Sequence, residues 1–171
     1  SLVEAAQSFL DSLKPAQKKQ ATYPLMDEER YNWHFTPRVR QGLAIKDMNQ
    51  QQKEAAYALM RASLSERGYE KAQQVRELES VLREVEGRQP GDTYRDPLNY
   101  YFTIFGKPAA DEAWGWRFEG HHISLNFSSV SNEIVSATPT FFGANPAKVP
   151  SGPRKGWRIL APEEDLARSI V

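Results

Sequence analysis

A break in alternation inside Trp114–Phe127, WGWRFEGHHISLNF, constrains the fold of this chain more than any other feature. The large apolar residues are even-numbered at first, at Trp114, Trp116 and Phe118, and odd-numbered afterwards, at Ile123, Leu125 and Phe127. Side chains along a strand alternate between two faces, so one regular strand cannot put both sets on the same side. An extra residue or a strand break is therefore required between Glu119 and His122. Gly120 is the expected place for a β-bulge, because glycine tolerates that backbone geometry. Bulges re-aim side chains, and one here can turn both His121 and His122 to the same side. Beyond the break, His122, Ser124 and Asn126 share the polar face.

The chain before this stretch reads as helical. Leu2, Ala5, Ala6, Phe9, Leu10 and Leu13 form one stripe, and Pro15 ends or restarts the helix. The segment YPLMDEERYNWHFTPRVRQGL is rich in aromatics and arginines and is interrupted by Pro24 and Pro37. It is expected to lie across the body of the domain as a lid or wall. Asp47, with Gln50 three residues on, reads as the cap of a helix reaching about Leu64. A second helix runs from about Tyr69 to Gly87, and the two form an expected helical hairpin. After the turn-rich GRQPGDTYRDP, the chain turns to strands: YYFTIF at 100–105, the opening stretch, Glu133–Ala137 and a short WRIL at 157–160. Pro162 with Glu163, Glu164 and Asp165 starts a last helix. The fold class is α+β, as one domain over 1–171. N-terminal helices in a mainly helical 1–98 pack on a small antiparallel sheet in 99–161, and 162–171 is the start of a helix at an end that looks truncated.

Composition narrows the function classes. There are 22 basic and 22 acidic residues, 15 of each sign in 1–99 and 7 of each in 100–171. No basic excess marks a nucleic-acid or anionic-membrane surface. With no cysteine, there is no thiolate metal site and no cysteine nucleophile. No run has the length and apolarity of a transmembrane helix, and SLVEAAQSFL lacks the basic and apolar regions of a signal peptide. The expectation is a soluble protein, of undefined compartment, whose partner is a small molecule.

Three chemistries fit the polar residues. His121 and His122 can serve as ligands for a divalent metal, with Glu119, Asn126 or His34 completing the set; adjacent histidines lack the convergent spacing of recognisable zinc motifs. One of the two can act as a general base oriented by Glu119 or Asp111. Ser124 lies two residues from His122, but no G-x-S-x-G or S-x-x-K motif supports a nucleophilic serine. Arg117, Glu119 and the arginines Arg30, Arg38 and Arg40 can hold an anion against Trp33, Trp114 and Trp116. Asn126 and Asn145 are candidates for positioning a ligand. The competing reading makes the histidines and tryptophans core residues and pairs Arg117 with Glu119.

DPLNYYFTIFGKP, WGWRFEGHHISLNF and TPTFFGANPAKVPSGPRKGWRILAPEEDLAR, with ERYNWHFTPRVRQGL, resemble the family catalogued as domain of unknown function 3500. The motif positions are Trp33, Arg38, Trp114, Trp116, Gly120, His121, His122, Asn126, Pro139, Phe142, Gly143, Asn145 and Pro146. The resemblance implies that this chain is the N-terminal half of a longer protein whose C-terminal half carries further polar motifs. It also suggests, by analogy, an enzyme. The expectation is a His-centred site, metal-dependent or hydrolytic, acting on a small molecule. The alternatives are a small-molecule or carbohydrate binding module without catalysis and a purely structural domain.

Overall fold

The computed structural model describes residues 1–89 and 91–170. Pro90 of the turn-rich stretch and the expected truncated end at Val171 lie outside the described residues.

The parity switch resolves as a hairpin. β4 (Trp114–Gly120) pairs antiparallel with β5 (Ile123–Val130), placing Trp116 opposite Phe127, Phe118 opposite Leu125 and Gly120 opposite Ile123. His121 and His122 form the two-residue turn between them. Across a two-residue turn, facing residues have opposite parity, so even-numbered apolar residues in one strand face odd-numbered ones in the next. The expected break is therefore present, but the bulge near Gly120 is not. The register shift of the sheet lies instead between Ser128 and Ser129, where β5 meets β6 (Glu133–Ser136). Gly120 serves a different purpose. A Cβ at this position would clash with Tyr100 Cδ1, so glycine lets that tyrosine pack against the end of the hairpin.

β3 (Tyr101–Phe105) lies on the other side of β4. Two short strands, β1 (Thr22–Tyr23) and β2 (Leu43–Ala44), extend β3, and β7 (Thr140–Phe142) pairs with β5. β1 runs parallel to β3, so the seven-stranded sheet is mixed rather than wholly antiparallel. The WRIL segment forms no strand; Trp157 and Ile159 pack against the core from irregular chain.

Helices cover one face of the sheet. α1 (Leu2–Ser12) starts with a capping box between Ser1 and Glu4, which satisfies two otherwise unpaired backbone donors. α2 (Pro15–Ala21) begins at the proline that restarts the chain. α3 (Gln50–Ser63) is capped by Asn49 with Gln52, not by Asp47, which lies in a 3-10 turn over Ile45–Asp47. α4 (Glu66–Val85) is capped by Ser65. α3 and α4 follow one another as expected, but α3 packs mainly along α1. The buried stripe of α4 instead joins the common core through Ala72, Val75, Leu78 and Val81. α5 (Ala161–Arg168) buries none of its residues. Phe9 of α1 meets Phe102 at 5.6 Å between ring centroids, and Trp116 stacks on Phe127 at 4.7 Å. Each such buried side chain contributes about 1.5–3 kcal/mol from area removed from water. Among the described residues, no helix is long and apolar enough to cross a membrane.

The opposite face is covered by the aromatic, arginine-rich segment between β1 and β2, as its composition implied. All seven residues of β4 are buried in consequence.

Candidate functional site

The hairpin tip is clamped from several sides. The His122 amide donates to the Phe35 carbonyl (2.7 Å), and the Gly143 amide donates to the His122 carbonyl (2.8 Å). The Tyr100 hydroxyl donates to the His121 carbonyl (2.9 Å), and Arg40 Nη2 donates to the Gly120 carbonyl (3.0 Å). His122 takes a φ of 59°, a left-handed conformation that histidine tolerates better than most residues. The two imidazoles lie together, centroids 4.2 Å apart and nearly perpendicular.

They have different surroundings. His121 Nδ1 bonds Glu79 Oε1, from the buried stripe of α4, in a short contact. The same nitrogen lies 3.3 Å from Arg95 Nη1. A guanidinium can only donate, so Nδ1 cannot both accept from Arg95 and donate to Glu79. The shorter contact assigns the proton to Nδ1, which leaves Nε2 as the basic nitrogen. Nε2 has no hydrogen bond among the described residues. Arg95 is itself held by Glu86 through Nη2 (2.7 Å) and Nε (3.1 Å). Hydrogen bonds from Arg95 and Arg88 lower the Glu86 pKa to about 2.

Beside His121 is a cavity of about 400 Å³. Its wall includes Glu79, Tyr94, Tyr100, Tyr101, Arg38 and Lys46. That volume accommodates a small organic molecule.

His122 turns toward β7. Its Nδ1 is buried with no partner among the described residues, and Gly143 lies so close that a Cβ there would strike it. Burial first, then the neighbouring His121 and Arg95, pushes its pKa down to about 4. The ring is therefore neutral at pH 7.

Glu119 and Arg117 belong to a separate ionic cluster on the face covered by the β1–β2 segment. Glu119 accepts from the His34 amide (2.9 Å) and lies 3.1 Å from Arg117 Nε, an ionic contact without hydrogen-bond alignment. Arg117 also donates to the Glu29 carbonyl (2.8 Å) and pairs with its carboxylate. Burial raises the Glu119 pKa, against the lowering effects of Arg117, the His34 amide and Arg40. The carboxylate expected to orient an imidazole thus faces Arg117 and His34, and Glu79 takes the role beside His121.

The other expected residues are dispersed. Trp114 and Trp116 are core residues, and Trp116 Nε1 donates to Ser63 Oγ (3.2 Å). The Asn126 amide nitrogen donates to Ser124 Oγ (3.1 Å) and the Pro139 carbonyl (2.8 Å), so its NH2 group is engaged within the fold. Trp33 packs near Phe35 in the covering segment, and Asn145 sits in the loop after β7. Neither lines the cavity, whereas Arg38 does. Among the described residues, no three His, Cys, Asp or Glu side chains converge as metal ligands. Sequence reasoning did not single out Glu79, Arg95, Tyr94 or Lys46. A signal for Glu79 existed, since it is in helical phase with Ala72, Val75 and Leu82, a charge on an apolar stripe.

Fold and site together define an α+β protein in which helices cover one face of a mixed sheet and an imidazole–carboxylate pair borders a cavity at its end. The chain belongs to the family described as Protein of unknown function (DUF3500), which it matches over residues 1–171. No curated protein and no solved structure matches it.

Proposed function

We propose that the cavity beside His121 is an active site for a small molecule, in which His121 acts as general base and Glu79 holds it in the productive tautomer. The observation that carries this reading is the buried Glu79–His121 pair at the cavity wall, its Nε2 left without a partner among the described residues. A carboxylate on Nδ1–H fixes the ring orientation and stabilises the imidazolium that forms when Nε2 takes a proton. Ser124 is fully buried and accepts a hydrogen bond from Asn126, so the hydrolytic form of this reading uses a water as nucleophile. His122, neutral and enclosed, supports the turn.

The test is a panel of small esters, lactones and enolisable ketones in D2O, which reports hydrolysis and deuterium uptake together. Turnover should fall by roughly 10²–10⁴-fold in His121→Gln, with a substantial loss in Glu79→Gln. Turnover indifferent to His121→Gln would refute the proposal. Ligand binding without turnover is the second reading, favoured by the three tyrosines of the wall. It predicts that His121→Gln changes neither affinity nor any product.

A further inference from the structure

The charges around the cavity are not equivalently used. Arg40 is spent on the protein: its guanidinium donates to the carbonyls of Arg38 (3.1 Å), His34 (3.1 Å) and Gly120 (3.0 Å), and to that of Thr36. Glu79 is engaged by His121. Asp96 accepts the Leu98 amide at 2.8 Å, capping its own turn. Two cations remain. Lys46 is exposed at the cavity and has no ion pair or side-chain hydrogen bond among the described residues. Arg38 is exposed, and its one side-chain contact among them is with His34, whose pKa is lowered by burial and by the neighbouring arginines. Neither meets a carboxylate. Beside them, Val39 is 90% exposed and Tyr94 51% exposed on the same wall, apolar surface left open to water.

We infer that the cavity takes a small molecule with an anionic group, such as a carboxylate, and an apolar or aromatic body. Lys46 and Arg38 hold the anion, and Val39, Tyr94 and Tyr101 hold the body. Lys46 loses nothing in protein pairing when a ligand arrives and Arg38 gives up at most its one contact with His34, whereas recruiting Arg40 would strip several carbonyls of their donor. The exposed apolar wall supplies the non-directional part of the affinity, and the pair of cations selects charge. This inference rests on the same cavity as the general-base reading, but concerns binding and not proton transfer.

Three nearly isosteric probes separate the charge types: phenylacetate, phenylacetamide and phenethylamine, titrated calorimetrically into the intact protein at low and high salt. Phenylacetate should bind most tightly, and more weakly as salt rises. The Lys46→Ala, Arg38→Ala double variant should bind it roughly tenfold more weakly, with circular dichroism and thermal midpoint unchanged, since both side chains are exposed. Phenylacetate binding should survive in His121→Gln. An amide that binds as tightly as the carboxylate overturns the inference, as does preference for the amine, an unaffected double variant, or binding by none of the three. Loss of turnover in His121→Gln with phenylacetate binding intact supports both readings. Binding intact and turnover indifferent sinks the general base alone.

Discussion

The two faces of the sheet are held by different physics. On the helical face, Phe102, Ile104, Trp116, Phe118, Leu125 and Phe127 are buried against α1 and α3 and need only size and phase to find one another. On the covered face, Arg117 and Glu119 are equally buried, but each depends on particular partners: Glu29, the His34 amide and the backbone of one loop. The first face is tolerant, because apolar contact has no direction. The second is specific, because a buried charge that loses its partner keeps its desolvation penalty. The candidate site lies at the hairpin tip where the two regimes meet.

Paired substitutions break this comparison most strongly. Trp116→Ala removes a fully buried indole and should cost about 3–5 kcal/mol of unfolding free energy. Arg117→Met should cost nearly as much, about 3–5 kcal/mol, because Glu29 loses its cation and Glu119 keeps only the more distant Arg40 at 4.0 Å. Combining it with Glu119→Leu should recover at least half of that loss, whereas no second apolar change refills the Trp116 cavity as readily. Urea midpoints of the four proteins decide it. If the double variant is no more stable than Arg117→Met alone, the covered face is not governed by charge pairing. A smaller effect sharpens the apolar side. Gly120→Ala drives a methyl into the Tyr100 ring and should cost about 1–3 kcal/mol. A variant as stable as the wild type would mean that Tyr100 is free to move and that its hydroxyl does not anchor the hairpin tip.

The same contrast explains what the sequence disclosed. Apolar phase was legible: Leu2, Ala6, Phe9, Leu10 and Leu13 of the first stripe are buried, and the two apolar sets of β4 and β5 face one another. The turn was not, because His121–His122 carries none of the Asn-Gly or Asp-Gly chemistry that announces a two-residue hairpin. A parity flip beside a lone glycine then resembles a bulge. The cap of α3 was misplaced because Asp47 and Asn49 are both good caps, and the intervening 3-10 turn, held by Ile45 and Lys46 amides on the Tyr100 and Leu98 carbonyls, decides between them. Ionic partners were the least legible. Glu79 meets His121 across 42 residues, and Arg117 meets Glu29 across 88. No local pattern encodes such a pairing, so Glu119, the nearest carboxylate in sequence, was the natural but different choice.

His122 sits on the seam, and its titration is the finest test of the comparison. Its imidazole packs among His121, Phe141 and Gly143, with a pKa pushed down to about 4 by burial and then by the neighbouring His121 and Arg95. An unfolded chain restores the ordinary histidine value near 6.5. Between these values the unfolded state binds a proton that the folded state does not, so unfolding is favoured as pH falls. The contribution is present above about pH 6.5 and lost on the way to about pH 4. His122→Asn keeps a residue that accepts the left-handed backbone while removing the titrating group. The variant should match the wild type near neutral pH and lose less stability below it, by on the order of 1 kcal/mol at the acid end, allowing for partial solvent screening. His34 and Glu86, whose pKa values are also depressed, titrate in both proteins, so the difference between the two pH profiles isolates His122. Parallel profiles would show that the ring reaches solvent when protonated, and the hairpin tip would then belong to the tolerant regime rather than the specific one.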